Sequence, residues 1–227
     1  MSSMILIPSG PFVMGLSKHE VKRICRRFDI QPATLADTMP QRMIELPDFY
    51  MDKYPVTNAE FYAYVIEANA GWIYNIDNPV PKDSESLPAV NVTYDMAESY
   101  AAWAGKRLPT EQEWEKAARG KPAMLFPWGG VWESDRLSCS VFSQGSLSSV
   151  GLHPMGSSPY GVMDMAGNVW EWTSTSMDKA MVIKGGSFRQ SRPYQFMCSF
   201  KEFEAGNSAR DDIGFRCVMD MPFSPDT

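Results

Sequence analysis

Residues 188–212 carry the side chains in this sequence that are best suited to bind another molecule. Polar groups with varied hydrogen-bonding capacity alternate there with aromatic rings. Aromatic and arginine side chains dominate binding energy at interfaces, and adaptable polar neighbours add specificity. The predicted ligand-binding residues are Arg189, Gln190, Ser191, Arg192, Tyr194, Gln195, Glu202, Phe203 and Glu204. The pattern leaves open whether the ligand is a protein or a small molecule.

Some aromatic side chains of this segment are expected to belong to the core. Alternation along the segment predicts that Phe200, Phe215 and one of Phe188 and Phe196 face inward. The other rings and the polar groups are then left for the surface.

Patterns for other kinds of chemistry are missing from the sequence. The two histidines, His19 and His153, are far apart and lack a metal-binding spacing. His153 precedes a proline, which favours a turn residue over a catalytic base. No Gly-x-Ser-x-Gly sequence indicates a serine nucleophile. The pair Gly185-Gly186 lacks the third glycine and the following helix of a phosphate-binding loop.

Composition and net charge exclude some classes of binding partner. The 227 residues are 44% hydrophobic and 21% charged, with a net charge of −6. These values are ordinary for a globular protein, and an acidic chain lacks the positive footprint of a nucleic-acid-binding protein. The basic run from 18 to 27 alternates with apolar residues at helical spacing and is interpreted as a solvated helix face. No apolar stretch reaches the roughly 20 residues that span a membrane.

The N-terminus and the cysteines bear on the cellular compartment. Residues 1–15 lack the basic region of a signal peptide and are predicted to form two short strands, 5–7 and 12–14. The four cysteines are irregularly spaced and fit neither a metal site nor a dense disulfide framework, which favours buried or reduced thiols. We therefore expect a cytoplasmic protein, or a surface or secreted one if a leader has been removed.

Three helices are predicted from capping residues. Residues 57–60 and 110–113 each form a Thr-x-x-Glu capping box in front of an apolar face. Thr93 caps a third helix, which Gly105 ends.

The remainder is rich in loops. Residues 71–88 and 121–160 are long irregular connections that contain many Asn, Asp, Pro, Gly and Ser residues. Loops of this length in a compact domain are usually binding segments, or are held by something such as a metal. No internal repeat, linker or charge break marks a boundary, so residues 1–227 are predicted to form one domain.

Short sequence blocks along the chain carry a family resemblance. They read Ile-Pro-Ser-Gly at 7–10, Tyr-Pro-Val-Thr-Asn at 54–58, Arg-Leu-Pro-Thr-Glu-Gln-Glu-Trp-Glu at 107–115, Gly-Asn-Val-Trp-Glu-Trp at 167–172, Gly-Gly-Ser-Phe at 185–188 and Ile-Gly-Phe-Arg-Cys at 213–217. In this order they resemble the domain of formylglycine-generating enzymes, also called sulfatase-modifying factors. The resemblance implies a C-type-lectin-like α+β fold, loop-rich, with short antiparallel strands, about three helices and an opening hairpin over 7–15.

The resemblance does not extend to the family's catalytic residues. Enzymes of the family oxidise a substrate cysteine with two cysteines that follow the Gly-Gly-Ser strand and bind copper(I). Here residues 189–197 contain no cysteine. A soft cation needs thiolate ligands, so no copper is expected. Secreted relatives commonly pair the cysteine at the position of Cys217 with one where this chain has Ala118, so Cys217 is expected to be a free, buried thiol.

The stretch 164–171 resembles the segment in which relatives bind calcium. Carried over by position, the ligands are the carboxylates of Asp164 and Glu171 and the backbone carbonyls of Gly167 and Val169. Calcium takes about six to eight oxygen ligands and tolerates irregular geometry, which suits such a set. The alternative is that both acids are ordinary surface carboxylates. A structural calcium ion is the predicted cofactor.

Two functions from different classes follow. The first is a non-catalytic ligand- or protein-binding module on this scaffold. One version of it is the variable protein of a diversity-generating retroelement, in which the residues between the last two blocks are hypervariable. The alternative is a metal-dependent oxidase that uses other residues in place of the cysteine pair, with Glu202, Glu204, Asp211 and Asp212 as candidates. A sulfatase-modifying enzyme proper would need the missing cysteines.

Overall fold

Short helices and strands joined by long loops make up the structure, a computed structural model that describes residues 3–141 and 145–221. The α-helices are α1 (Lys18–Phe28), α2 (Asn58–Ala68), α3 (Tyr94–Trp103) and α4 (Glu111–Arg119). The strands are β1 (Met4–Ile7), β2 (Gly10–Met14), β3 (Arg42–Leu46), β4 (Phe49–Asp52), β5 (Trp170–Met177), β6 (Ala180–Lys184), β7 (Lys201–Ala205), β8 (Ile213–Gly214) and β9 (Val218–Asp220). The predicted α+β class with little regular structure is confirmed.

The strands form three small sheets. Their orders are β1-β4-β9, β2-β3 and β7-β6-β5-β8. The pairs are antiparallel except for β5 and β8, which run parallel. The four-stranded sheet brings the Gly-Asn-Val-Trp-Glu-Trp strand, the Gly-Gly-Ser strand and the Gly-Phe-Arg strand side by side. The sequence blocks therefore meet in one sheet.

The predicted opening hairpin is wrong, although both of its strands exist. β1 pairs with β4, whereas β2 pairs with β3 in a different sheet. A tight two-residue hairpin requires a turn with positive φ angles, and the connecting Pro8 is locked near −65°. The connection therefore passes the chain from one sheet to the next.

All four α-helices begin at a side chain that caps the helix. The predicted capping boxes at Thr57 and Thr110 and the Thr93 cap are present. The fourth, α1, was predicted as a helix from its apolar spacing alone. It also has a capping box, because Ser17 accepts from the Glu20 amide while the Glu20 carboxylate accepts from the Ser17 amide.

Aromatic side chains from α2 and α3 fill the larger core. Phe61 and Tyr100 contact each other, and both contact Phe215 at ring-centre distances of 5.3–5.8 Å. All four aromatic rings for which an inward orientation was considered are buried: Phe188, Phe196, Phe200 and Phe215. The inward prediction is thus confirmed, and the structure extends it to both members of the pair that was left open.

The smaller core lies under α4. Trp114, Ala117 and Ala118 pack there against Cys198 and Val218. The thiols of Cys25, Cys198 and Cys217 are buried and free, and Cys139 is buried as well. The prediction of a free, buried Cys217 is therefore confirmed.

The helices are short. The longest α-helices have eleven residues. In the described part of the chain, no helix has the length and apolar character needed to cross a lipid bilayer.

Candidate functional site

A buried ion pair joins the strands on which the site is built. The Arg216 guanidinium donates to both oxygens of the Glu171 carboxylate at 2.7 Å, and the Trp114 indole N–H donates to the same carboxylate at 2.7 Å. Arg216 also donates to the backbone carbonyls of Asp52 and Met163. Bidentate arginine–carboxylate pairs fix geometry as well as charge. This contact connects β5, α4 and the C-terminal segment.

Two glycines allow the loops that flank β5 and β6 to pack closely against neighbouring segments. Gly167 has a φ of +77°, and a Cβ atom there would lie 2.3 Å from the Ser138 carbonyl oxygen. Gly186 has a φ of +74°, and its Cβ would lie 2.7 Å from the Phe196 ring. Side-chain-bearing residues rarely adopt such φ angles. The glycines in these two blocks are therefore required by packing.

A hydrogen-bonded network links the turn after Gly186 to the edge strand β7. The Ser187 hydroxyl contacts Asp212 at 2.8 Å and also contacts Gln190, whose side-chain oxygen accepts from the Ser187 amide at 3.0 Å. Arg210 bonds Asp212 at 2.9 Å and Glu204 at 2.6 Å. The network gives the turn and the neighbouring strand a fixed relative position.

Next to this turn lies an open cleft of about 380 Å³. Its walls come from three segments: Phe188, Arg189 and Asp211 on one side, the irregular loop around residues 73–91 on another, and residues 145–147 on the third. The Arg189 guanidinium pairs with the Asp211 carboxylate and lies 4.9 Å from the centre of the Phe188 ring. Both long loops predicted to be binding segments therefore reach the same cleft as the C-terminal turn.

The sequence reasoning missed one polar residue of this cleft, Asn58. Its amide nitrogen donates to the Ser84 carbonyl at 2.9 Å. Its side-chain oxygen is buried and has no hydrogen-bond partner in the part of the chain that the structure describes. Asn58 follows the Thr57 cap directly, so its place in the sequence indicates a helical position and carries no signal of a ligand contact.

Of the predicted ligand-binding residues, Arg189 alone is among the residues that line the cleft. Gln190 closes the turn, and the Gln195 side chain accepts from the Arg192 amide at 3.2 Å. The Tyr194 ring packs against Phe200 with ring centres 5.4 Å apart. These polar groups are thus partly used within the segment.

Residues further along the segment separate into two faces. Ser191 and Arg192 are exposed on the turn, whereas Glu202 and Glu204 lie half-buried on β7. Phe203 is on the opposite face of that strand because side chains alternate. Burial raises the pKa of Glu202, against the favourable charge of Arg210. The predicted residues are therefore divided between the turn and the two faces of β7, and only Arg189 lines the cleft.

Two of the buried thiols, those of Cys198 and Cys217, are held in the protonated form. Cys198 is fully buried, and burial raises its pKa to about 12. Burial also raises the pKa of Cys217 well above its usual value. The thiolate is the nucleophilic and metal-binding form. At neutral pH both groups are therefore protonated.

The predicted calcium ligands lie close together, but Glu171 is already engaged. Both of its oxygens accept from Arg216, whose positive charge is where an ion would have to approach. The Asp164 carboxylate accepts from the Gly151 amide at 2.7 Å, and burial raises its pKa. Asp164 and the carbonyls of Gly167 and Val169 supply fewer oxygens than the roughly six to eight that calcium takes. The four-residue set does not fit an ion as it stands, and calcium binding stays a prediction.

Comparison with known proteins gives a consistent set of matches. The family model described as "Sulfatase-modifying factor enzyme 1-like domain" matches residues 1–221. Hercynine oxygenase of Mycolicibacterium smegmatis is 32% identical, with 76% of this chain and 45% of that protein covered. The inactive C-alpha-formylglycine-generating enzyme 2 of Mus musculus is 29% identical, with coverage of 95% and 85%.

Solved structures extend the match to the fold. PvdO from Pseudomonas aeruginosa superimposes with a TM-score of 0.79 at 25% identity, covering 96% of this chain and 94% of that one. Treponema denticola variable protein 1 gives a TM-score of 0.71 at 16% identity, with coverage of 96% and 95%. The second likeness shows the fold alone. This chain spans about half the length of two of the curated relatives it matches, 54% and 45%.

Proposed function

Because the chain belongs to the sulfatase-modifying factor family, in which formylglycine-generating enzymes oxidise cysteine, we propose that it keeps the family's scaffold as a non-catalytic binding module. The observation that carries this proposal is the open cleft beside the C-terminal turn. The cleft is lined by an arginine–aspartate pair and by Asn58, whose buried side-chain oxygen lacks a partner among the described residues. The residues 189–197 supply no thiol for the family's reaction.

The cleft favours a polar ligand with both donor and acceptor groups. Arg189 and Asp211 present opposite charges, and the Asn58 oxygen requires an N–H or O–H donor. A buried polar atom without a partner costs free energy, which a ligand donor would relieve. A volume of about 380 Å³ is at the lower end of ligand-binding clefts. Amino acids and peptide termini match these requirements.

A thermal-shift screen with amino acids and dipeptides tests this function. A ligand that binds the folded state raises the melting temperature, and the stabilisation grows with the logarithm of one plus the ratio of its concentration to Kd. We expect the shift to be lost in Arg189→Ala, which removes a cleft residue. It should be kept in Arg192→Ala, a matched control that removes an exposed arginine three residues away and outside the cleft. Binding that is equal in both variants, or absent for every compound, contradicts the proposal.

A more specific version is the variable protein of a diversity-generating retroelement. The fold likeness to the Treponema denticola variable protein supports the scaffold for such a role. Its test is genomic: a reverse transcriptase gene should lie nearby, with a near-copy of the coding sequence for residues 185–217 that differs at adenines. Without these elements this version fails, and the general binding function is unaffected.

A metal-dependent oxidase is the second candidate, and the match to a hercynine oxygenase favours it. Its carboxylates would be those of Glu202, Glu204, Asp211 and Asp212. Glu204 and Asp212 already pair with Arg210, and Asp211 pairs with Arg189. Oxygen consumption in the presence of copper or iron, abolished in Glu202→Ala, would support this candidate against the first.

A further inference from the structure

A second, basic groove lies away from the cleft, between α1 and the segment that follows α4. Its volume is about 330 Å³, and three arginines line it: Arg23 and Arg27 from α1, and Arg119 from the end of α4. Residues 23 and 27 are one turn apart, so their side chains lie on the same face of the helix. Both are exposed. The basic run interpreted from the sequence as a solvated face thus forms one wall of a groove.

The positions of the outer arginines are partly fixed. Arg27 donates to the Gly130 carbonyl at 2.9 Å, which ties α1 to the opposite wall, and its guanidinium lies 5.3 Å from the Phe28 ring centre. Arg23 forms no ion pair with any residue that the structure describes. Like charges one turn apart on a helix are destabilising. The arrangement therefore leaves an unsatisfied positive charge at the groove.

The inner arginine adds to this excess charge. Arg119 is buried and pairs with Glu115 at 2.8 Å, but the same carboxylate also receives the buried Lys184 at 3.3 Å. Two cations share one carboxylate, so the buried cluster carries a net positive charge. The Nε atom of Arg119 has no hydrogen-bond partner within residues 3–141 and 145–221. Buried charges are normally paired, and this one is incompletely paired.

The other side of the groove is apolar. Leu16, Ile24, Met124 and Leu125 line it. Glu20 is the acid in the groove. Its Oε2 atom accepts from the Ser17 amide and from Gln41, and its negative charge offsets part of the positive charge of Arg119 and Arg23. The groove therefore combines several arginines with an apolar wall.

We propose that this groove binds a phosphate-type oxyanion attached to a small apolar group. Arginine presents a planar set of N–H donors that bonds phosphate oxygens in pairs. The exposed Arg23 and Arg27 can donate to several sides of a doubly charged tetrahedral anion, which suits them better than a planar carboxylate, and the charge of the buried Arg119 adds to the attraction. The apolar wall accommodates the substituent that the anion carries. The site is separate from the cleft of the proposed binding function.

Isothermal titration with phenyl phosphate, inorganic phosphate and phenol tests the site at low ionic strength, where screening is weakest. We expect phenyl phosphate to bind, inorganic phosphate to bind at least about fivefold more weakly, and phenol not to bind, since both the charge and the apolar group contribute. Equal affinity for the two phosphates would overturn the apolar part of the site. Absence of phenyl phosphate binding up to about 10 mM would overturn the whole proposal.

Matched variants on one helix locate the binding. Arg23→Gln and Arg27→Gln should each weaken phenyl phosphate at least about tenfold, because each removes a charged donor from the groove. Lys18→Gln removes the same charge from an exposed position at the start of the helix that lines neither the groove nor the neighbouring pocket of Arg23 and Arg27, and it should weaken binding less than about threefold. If all three variants weaken binding equally, the effect is that of net charge alone and the site is wrong.

Discussion

The Arg216–Glu171 pair and the Arg189–Asp211 pair use the same chemistry in two opposite environments. The first has both side chains at 0–1% exposure, and the second has them at 51% and 58%. Every side-chain hydrogen bond described above for Arg216 and Glu171 joins segments that are distant in sequence. The second sits at the mouth of a cleft, where solvent and ligand can compete for it. The comparison shows which part of the C-terminal segment carries the fold and which part is available for binding.

The largest expected effect comes from the buried pair. Arg216→Met leaves the Glu171 carboxylate buried without its partner, which typically costs about 3–5 kcal/mol. Arg189→Met, the same substitution in the exposed pair, should cost at most about 1 kcal/mol. Urea unfolding of both variants measures the difference. Adding Glu171→Gln to Arg216→Met should recover part of the loss, since no charge then remains buried. Similar losses in the two single variants would contradict the comparison.

Two glycines, one tightly packed and one with ordinary contacts, sharpen the contrast between the rigid and the open parts of the molecule. Gly167→Ala keeps the backbone carbonyl but places a Cβ 2.3 Å from the Ser138 oxygen at a φ of +77°, so a loss of about 2–4 kcal/mol is expected. Gly206→Ala meets only ordinary contacts, at 3.6 Å or more, and should change stability by less than about 1 kcal/mol. The free energy of unfolding is again the measurement. If Gly167→Ala left the free energy of unfolding unchanged, the backbone around Ser138 would be able to move away from residue 167.

The difference between local and long-range contacts explains what could be predicted from the sequence. The capping threonines and the glycine blocks act through local geometry, so the helices and the sheet-forming anchors could be inferred from their neighbours alone. The partner of β1 could not, because strand pairing here joins residues more than forty positions apart. The ion pair between Glu171 and Arg216 was missed for a similar reason. Its position matched a calcium ligand, and only the fold reveals the guanidinium beside it.

The cleft was foreseen only in part. The turn was predicted to bind a ligand, and the two long loops were predicted either to bind or to be held by something such as a metal; the three segments meet at the cleft. Asn58 was missed because it was interpreted as the first residue of a helix. Gln190 and Gln195 were predicted as contacts because polar side chains in a loop resemble contacts until their local hydrogen bonds are known.

Adding calcium distinguishes two roles for residues 164–171: a metal site, or a segment whose Glu171 carboxylate is kept by the ion pair with Arg216. Since Arg216 occupies the Glu171 carboxylate, we expect calcium at about 1 mM to raise the melting temperature by less than about 1 °C relative to EDTA, as for a weak site. Any shift should vanish in Asp164→Asn, which removes the remaining carboxylate. A rise of several degrees would show that the ion displaces the arginine from Glu171.

Glu202, on the half-buried edge strand β7, lets the two kinds of environment be compared through pH. Burial raises its pKa in the folded state, so the protonated form is favoured by folding. Its contribution to stability is therefore fully present below the unfolded pKa of about 4.5 and is lost as the pH rises through the folded value. Glu202→Gln, which is neutral at every pH, should raise the melting temperature at pH 8 by at most about 2–4 °C and leave it unchanged at pH 4. Glu204→Gln provides the control, because that carboxylate pairs with Arg210 and its loss should lower the melting temperature at pH 8. A Glu202→Gln variant that is destabilised at pH 8 would mean that the ionised carboxylate is stabilised by Arg210, and would place Glu202 with the paired groups of the scaffold.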